Sequence, residues 1–393
     1  MKCVLFANYK RKRNILIYCD YNATTPCAPE VVKAMHQYWS EDFGNPSSAH
    51  LAGRIAARAV SNARLQVAEL VNCYPGEIYF TTGATESNNL VFLGLLLSSS
   101  QNKKRIVISS IEHKSVLEPS LFLAKRGFEV VFLPVSNDGV IDIDKAKKII
   151  TADTALVSVH AANNEIGTLQ PIEEICNYAH DIGAVFHTDA AQAFGKTDLN
   201  FTDIGCDLAS VSSHKIYGPK GIGALYVNGG ISQWRWSFPL HGGAQESGLR
   251  PGTLNTPAIV GFGVASLLAT KNLPSEKLFI NNLRTYLEKK LLERFPNCVI
   301  HARNAKRVPG TISVAFPGVP ADMLIDNLSS LCVGKGSACS SGTISRSHVL
   351  LAMGCEPEVA DETIRISLGR YSTLVEMDQI VEMISSAIAV IRQ

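Results

Sequence analysis

Between residues 77 and 227 the chain alternates short apolar runs with stretches of helical period. The runs "EIYF" (77–80), "RIVISS" (105–110), "FEVVFLPV" (128–135), "TALVSVHA" (154–161), "AVFHTDAA" (184–191) and "DLASVSS" (207–213) are short, rich in β-branched residues and bounded by turn formers. That combination predicts strands. "SVLEPSLFLAKRG" and "PIEEICNYAHDIG" lie between them, and each ends on a glycine where a helix takes a left-handed cap. Strand and helix in alternation build a parallel sheet, and near-continuous hydrophobic strands belong to a sheet covered on both faces. The predicted fold class is therefore α/β, with a large domain whose mostly parallel sheet is flanked by helices.

After about residue 270 the texture changes. "SEKLFINNLRTYLEKKLLERF" reads as a long amphipathic helix, "TISVAF" and "TIRISL" as strands, and "MDQIVEMISSAIAVIR" as a closing helix. This is the pattern of a smaller α+β domain. The expected division is an N-terminal extension (1–17), a segment joining the small domain (18–30), the large domain (31–270) and the small C-terminal domain (271–393). No repeat, linker or low-complexity stretch separates the parts, so a cleft between them is the default site.

Composition narrows the function classes. A length of 393 residues suits one large and one smaller core. A formal charge of +2 leaves no basic excess for a phosphate backbone, so nucleic acid is not the expected partner. The longest uncharged run, "TLNTPAIVGFGVASLLAT", carries Asn, Pro and several small residues and fits a buried helix rather than a membrane span. Ten cysteines show neither C-x-x-C pairs nor zinc-type spacing, which points to a reducing compartment. The expectation is a cytoplasmic protein. The start has no acid before Asp20 and a Lys/Arg cluster at 10–13, so a presequence for an organelle matrix and an ordinary solvated extension both stay open.

In open α/β sheets ligands collect at the carboxyl ends of the strands, and the polar clusters fall there repeatedly. "TTGATES" after the first run can hold a phosphate on backbone N–H groups, with Thr85 adding a hydroxyl. Its plainer reading is a capped strand-to-helix turn. His113 follows the second run, and Asn164 the fourth, where turn chemistry would also explain it. Asp189 sits in an apolar run, where a carboxylate is costly unless paired, and Gln192 lies within reach of the same ligand. Lys215 hangs at the end of "DLASVSS" in a glycine- and proline-rich turn. A partly buried lysine can lose its proton and form Schiff bases with carbonyls, although a lysine in such a turn is more often simply solvated. Together, a phosphate-type turn, a buried acid, a histidine and a strand-end lysine suit pyridoxal 5′-phosphate, which has a phosphate, a basic ring nitrogen and an aldehyde.

The ordered motifs "YCDYNATTP", "GNPSSAH", "TTGATESNN", "IEHKSV", "NNEIG", "HTDAAQ", "SSHKIYGPKGIGALY", "RPGTLN", "GSACSSG" and "TIRISLGR" resemble those of the cysteine desulfurases, fold-type I pyridoxal-phosphate enzymes of the NifS/IscS kind within the class V aminotransferases. The resemblance runs from about Tyr18 to the last helix. It implies that Lys215 carries the cofactor, Asp189 pairs with its ring nitrogen, His113 stacks on the ring and Gln192 contacts the phenolic oxygen. Thr85, Ser212 and His214 would hold the phosphate, with Thr253 reaching in from the second subunit of a homodimer, and Ala84 would also bind the cofactor. Asn164, beside the cofactor, and Arg365 would hold the substrate carboxylate, for which a planar guanidinium fork is the right shape. Cys339, set among glycines and serines that leave no apolar face to bury, would be the nucleophilic thiol.

The activity implied is conversion of L-cysteine to L-alanine, with a persulfide left on Cys339 for an iron–sulfur scaffold or another sulfur acceptor. No permanent metal is expected, since one thiolate is short of a cluster's usual ligand set. Cys339 as a transient cluster ligand stays open. The sequence departs from the family at Ala244, where a third glycine is common, and in "TISRSHVL", which lacks the usual acidic-proline pair. It also ends at Gln393 without a longer tail, so the reading is a NifS-like member with an open acceptor. A selenocysteine lyase, a class V aminotransferase and a non-catalytic scaffold are the alternatives.

Overall fold

The computed structural model describes residues 16–98, 103–234, 236–336 and 346–393. Strand β1 (Ile17–Tyr18) precedes a seven-stranded sheet made of β2 (Ile78–Thr81), β3 (Arg105–Ser109), β4 (Glu129–Leu133), β5 (Thr154–Ser158), β6 (Val185–Asp189), β7 (Leu208–Ser212) and β8 (Gly223–Val227). Their order is β2-β8-β7-β6-β5-β3-β4. β4, β3, β5, β6 and β7 pair in parallel, while β8 pairs antiparallel with both β7 and β2. β2 therefore points the same way as β7. The mostly parallel sheet expected from the run pattern is present, and the runs from "EIYF" to "DLASVSS" each supply a strand. β8, "GALYV", is the strand they did not announce, because it directly follows the glycine-rich turn.

The sheet is covered on both faces. Along β3, Ile106 and Ile108 face one layer with Leu90, Phe92 and Leu95 of the helix Ala84–Leu97. Val107 faces the opposite layer with Val67, Phe186 and Phe262. Alternate residues of a strand point to opposite faces, so both must be apolar when both are covered. The edge strand β4 is the exception: Glu129 and Phe132 are exposed, as one open flank allows.

A smaller sheet follows, from β9 (Val299–Ile300) and β10 (Thr311–Ala315), past β11 (Leu331–Cys332), to β12 (Gly334–Lys335) and β13 (Thr363–Ser367), in the order β12-β13-β10-β9 and antiparallel throughout. Its inner face, Ile312, Val314, Ile364 and Ile366, packs on Met377, Ile380, Ile384 and Ile388 of the last helix. Those positions recur at three and four residues, as an amphipathic helix requires. Thr373 and Glu376 start that helix with a reciprocal capping box.

The uncharged run and the amphipathic run read separately in the sequence form one helix, Thr256–Arg294, with Pro274 inside it. Its first half buries Ala258, Ile259, Phe262 and Ala265 with the large sheet. Its second half buries Leu283, Leu287 and Leu291 with the small one. One rod thus serves two cores. Residue 270, the division expected from texture, lies within it.

The segment after β1 crosses between the sheets. β1 pairs in parallel with β11, and Asp20 bridges to Ser367 of β13. A few residues on, the Thr25 N–H donates to the His214 carbonyl (3.0 Å) and the Ala28 N–H to the Tyr217 carbonyl (2.9 Å).

Phe186 is fully buried on β6, the strand that carries Asp189. Phe186→Ala should lower unfolding stability by about 3–5 kcal/mol through lost burial and the cavity left behind, read as an earlier urea midpoint.

Candidate active site

The strands that share one direction end on the same edge, and their loops converge on a cavity of about 600 Å³. Ala84 and Thr85 follow β2, His113 follows β3, Asn164 follows β5, Gln192 follows the terminal residue of β6, Asp189, and His214 and Lys215 follow Ser212 at the end of β7; all line it. Arg365 enters from β13. Thr253 is exposed and outside this lining. Cys339 lies outside the described residues, while Gly336 and His348 on either side line the cavity. A larger depression of about 800 Å³ beside Tyr74, Trp236 and Leu240 receives none of these residues.

Lys215 closes a single 3-10 turn, Ser213–Lys215, after β7. Its Nζ donates to the main-chain carbonyls of Asn22 and Ala23, the latter at 2.8 Å. The turn is tight: a Cβ on Gly218 would lie 2.0 Å from Ser213 Oγ. Asn22 is itself held from both sides. Its Nδ2 donates to Thr311 Oγ1 (2.8 Å) and the Asn164 carbonyl (3.2 Å), and its N–H donates to Ser367 Oγ (3.0 Å). Sequence reasoning gave Asn22 no role, because the groups that meet Lys215 and Gln192 there are main-chain carbonyls, which every residue carries.

Asp189 is buried at the carboxyl end of β6. Its Oδ2 accepts from Asn88 Nδ2 (2.8 Å) and its Oδ1 from the Ala191 N–H (3.0 Å). Asn88, also unassigned from the sequence, gives its other Nδ2 bond to Ser115 Oγ (2.8 Å). His113 caps the helix Lys114–Ala124: its Nδ1 accepts from the Ser115 N–H (3.1 Å) and meets Ser115 Oγ at 2.8 Å. With Nδ1 accepting, the neutral ring carries its proton on Nε2.

One end of the cavity is built for an anion. The helix Ala84–Leu97 points its first-turn N–H groups there, after Gly83 at φ +151°, a conformation suited to glycine. Ser212, His214 and Lys220 complete the wall. Burial, with Lys215 and Lys220 adding positive charge, pushes His214 down to about 4, so its ring is neutral and Nδ1 meets Thr24 Oγ1 at 3.1 Å.

The other end holds a buried cation. Arg365 donates to Asp20 Oδ1 (2.7 Å) and the Asn164 carbonyl (3.0 Å), while its buried Nε has no hydrogen-bond partner among the described residues. Beside it, Glu165 is pushed above the usual carboxylate range by burial and accepts from Ser347 Oγ. Glu112 is fully enclosed. Burial raises it to about 8, although its Oε1 accepts from Ser109 Oγ (2.6 Å) and the His160 N–H (2.8 Å). Burial pushes His160 down to about 4. Neither Glu112 nor His160 was anticipated, since their chemistry comes from enclosure. Among the described residues no three His, Cys, Asp or Glu side chains group as a metal site, and no helix is long and apolar enough to cross a membrane.

A strand-end amine, a buried acid and an anion cradle on the carboxyl edge of such a sheet define a class V aminotransferase architecture, and the aminotransferase class-V family profile matches residues 17–380. Among curated relatives, the cysteine desulfurase IscS of Rickettsia typhi is 40% identical over 378 residues, covering 96% of this chain and 92% of the relative. A solved NifS-like protein superposes with a TM-score of 0.89 at 35% identity, covering 95% of this chain and all of the other. A second solved structure, SspA in complex with cysteine, gives 0.80 at 38% identity, with 91% and 100% covered. The chain belongs to the class-V aminotransferase family and, within it, to the cysteine desulfurases.

Glu112 yields a pH prediction. Its folded pKa lies above its unfolded value, so between about pH 4.5 and 8 the folded chain keeps a proton that the unfolded chain has lost. Stability from this group is full below that window and falls as pH rises through it. Glu112→Gln keeps an oxygen for Ser109 and His160 and should remove that slope. Urea midpoints should therefore shift in favour of the variant as pH is raised from about 5 to 8.

Proposed function

We propose that this chain binds pyridoxal 5′-phosphate and converts L-cysteine to L-alanine, passing the sulfur to Cys339. The observation that carries the reading is the convergence of Lys215, Asp189 and His113 on one cavity with an anion cradle at its edge.

The donor set fits the cofactor in each part. The first turn of the helix Ala84–Leu97, Thr85, Ser212 and His214 offer hydrogen bonds to a phosphate. Asp189, oriented by Asn88 and Ala191, offers a buried carboxylate to a basic ring nitrogen. His113, with its ring fixed by Ser115, supplies a flat face, and Gln192 an amide for the phenolic oxygen. A volume of about 600 Å³ is of the size that takes a cofactor with a small substrate. Bound there, pyridoxal phosphate supplies an electron sink that stabilises negative charge at the substrate Cα.

The chain's own residues do the rest. Arg365, with its unpartnered buried Nε, binds the substrate carboxylate together with Asn164. Lys215 carries the cofactor, then takes and returns the proton at Cα. The Cys339 thiolate attacks the substrate sulfur: a sulfur–sulfur bond forms, the carbon–sulfur bond breaks, and its electron pair stays with the carbon, which is protonated and leaves as alanine. The persulfide on Cys339 then serves an iron–sulfur scaffold or another acceptor. Gly336 and His348 in the cavity wall support access for the thiol between them in the chain, and the cysteine named in the SspA structure supports the substrate. The exposed Thr253, together with Trp39 and Phe43 at 65% and 74% exposure, supports a homodimer that brings Thr253 to the neighbouring cavity.

Incubation with L-cysteine and a thiol reductant should release sulfide and alanine in equal amounts. Lys215→Ala should lower that rate by about 10²–10⁴-fold or more, and Cys339→Ser should abolish sulfide release. If Cys339→Ser still turns over an amino-acid donor, an aminotransferase reading replaces this one.

A further inference from the structure

Lys196 stands behind the cavity wall, four residues after Gln192 in the turn that follows β6. Its Nζ donates to Gln192 Oε1 at 3.0 Å. The opposite end of the same amide is also engaged, since Gln192 Nε2 donates to the Asn22 carbonyl at 2.9 Å. These two bonds orient the amide without ambiguity: the oxygen must face the lysine, a donor in either protonation state, and the nitrogen must face the carbonyl. An amide nitrogen has two protons, so a second N–H remains on the Nε2 side of a residue that lines the cavity.

The local backbone is shaped for this contact. Gly195 has φ +65°, and a Cβ there would lie 2.7 Å from Ile216 Cγ2 and 3.2 Å from Ala269 Cβ. A side chain at 195 would therefore be strained and crowded at once. The chain folds back, with the Lys196 N–H on the Ala193 carbonyl at 3.0 Å. The lysine borders a small cavity of about 40 Å³ that it shares with Lys215, Ile216, Tyr217, Glu276 and Arg370. Burial pushes Lys196 down to about 7, with Lys215 and then Arg365 adding like charge. An amine held there at such cost needs a compensating contact, and Gln192 supplies it.

We propose that Lys196 is a positioning residue: it holds the Gln192 amide so that its N–H, and not its oxygen, is presented to the phenolic oxygen of bound pyridoxal phosphate. The inference rests on the cofactor reading above. Without Lys196 the amide is held only through its nitrogen, by the Asn22 carbonyl, so its oxygen end is released and its N–H is aimed less firmly at the cofactor's oxygen.

The test is equilibrium dialysis of the full chain against graded pyridoxal phosphate at about pH 8.5, where Lys196 is mostly neutral, so a change in hydrogen bonding is separated from a change in charge. Lys196→Met should raise the dissociation constant about tenfold, Gln192→Ala by a similar factor, and the double variant no further than the larger single. Lys196→Arg, which keeps a donor, should retain most of the affinity. Should the methionine variant not fold, Lys196→Ser, too short to reach Oε1, takes its place. An unchanged dissociation constant, or losses that multiply in the double variant, would overturn the role of Lys196 alone. A wild-type chain that binds no pyridoxal phosphate would instead sink the cofactor reading, and this inference with it.

Discussion

The ε-amine of Lys215 rests on two main-chain carbonyls, those of Asn22 and Ala23, and much of the molecule is arranged to keep those carbonyls in place. They belong to a segment that pairs with β11 at one end and with the turns after β7 at the other. Asn22 adds bonds to β10 and β13, and its carbonyl also takes the Gln192 amide. Moving either sheet relative to the other would draw this segment away from the lysine. The position of one amine is thus a property of both cores, and the long helix Thr256–Arg294 couples those cores by packing in each.

Electrostatics follow from the same enclosure. Lys196, Lys215 and Arg365 crowd positive charge behind and above the cavity, and the acids near them are either ion-paired, as Asp20 is with Arg365, or raised by burial, as Glu112 and Glu165 are. Four histidines are pushed down to about 4 and hold neutral rings: His187, His214 and His301 meet hydrogen-bond partners, while the buried Nε2 of His160 has none among the described residues. The first-turn N–H groups of the helix Ala84–Leu97 and the guanidinium of Arg365 favour anionic groups where they face the cavity, and the carboxylate of Asp189 lines the same space.

Much of this was legible before any coordinates. Apolar runs bounded by turn formers located the parallel strands, since a strand covered on both faces has no other way to be written. Asp189 was legible as a candidate because it interrupts an apolar run, and Lys215, His113 and Thr85 because they fall in turns just past strand ends. The strand β8 was hidden by the turn before it. The helix Thr256–Arg294 was read as two because its first half buries residues in the large core and its second half in the small one, while the backbone continues through Pro274.

By itself the sequence determined the alternation of strand and helix, the edge on which the loops gather and the residue types delivered there, because these depend on local period and on side-chain chemistry. Only the tertiary structure decided that Asn22 carries Lys215, that Asn88 holds Asp189, that Lys196 grips Gln192 and that Glu112 is enclosed. Apart from Lys196 and Gln192, which are four residues apart, each of those contacts joins groups distant in the chain, or uses a main-chain atom or a loss of water. Residue spacing alone marks none of them as a partnership, because burial and partner geometry exist only once the two sheets have closed on each other.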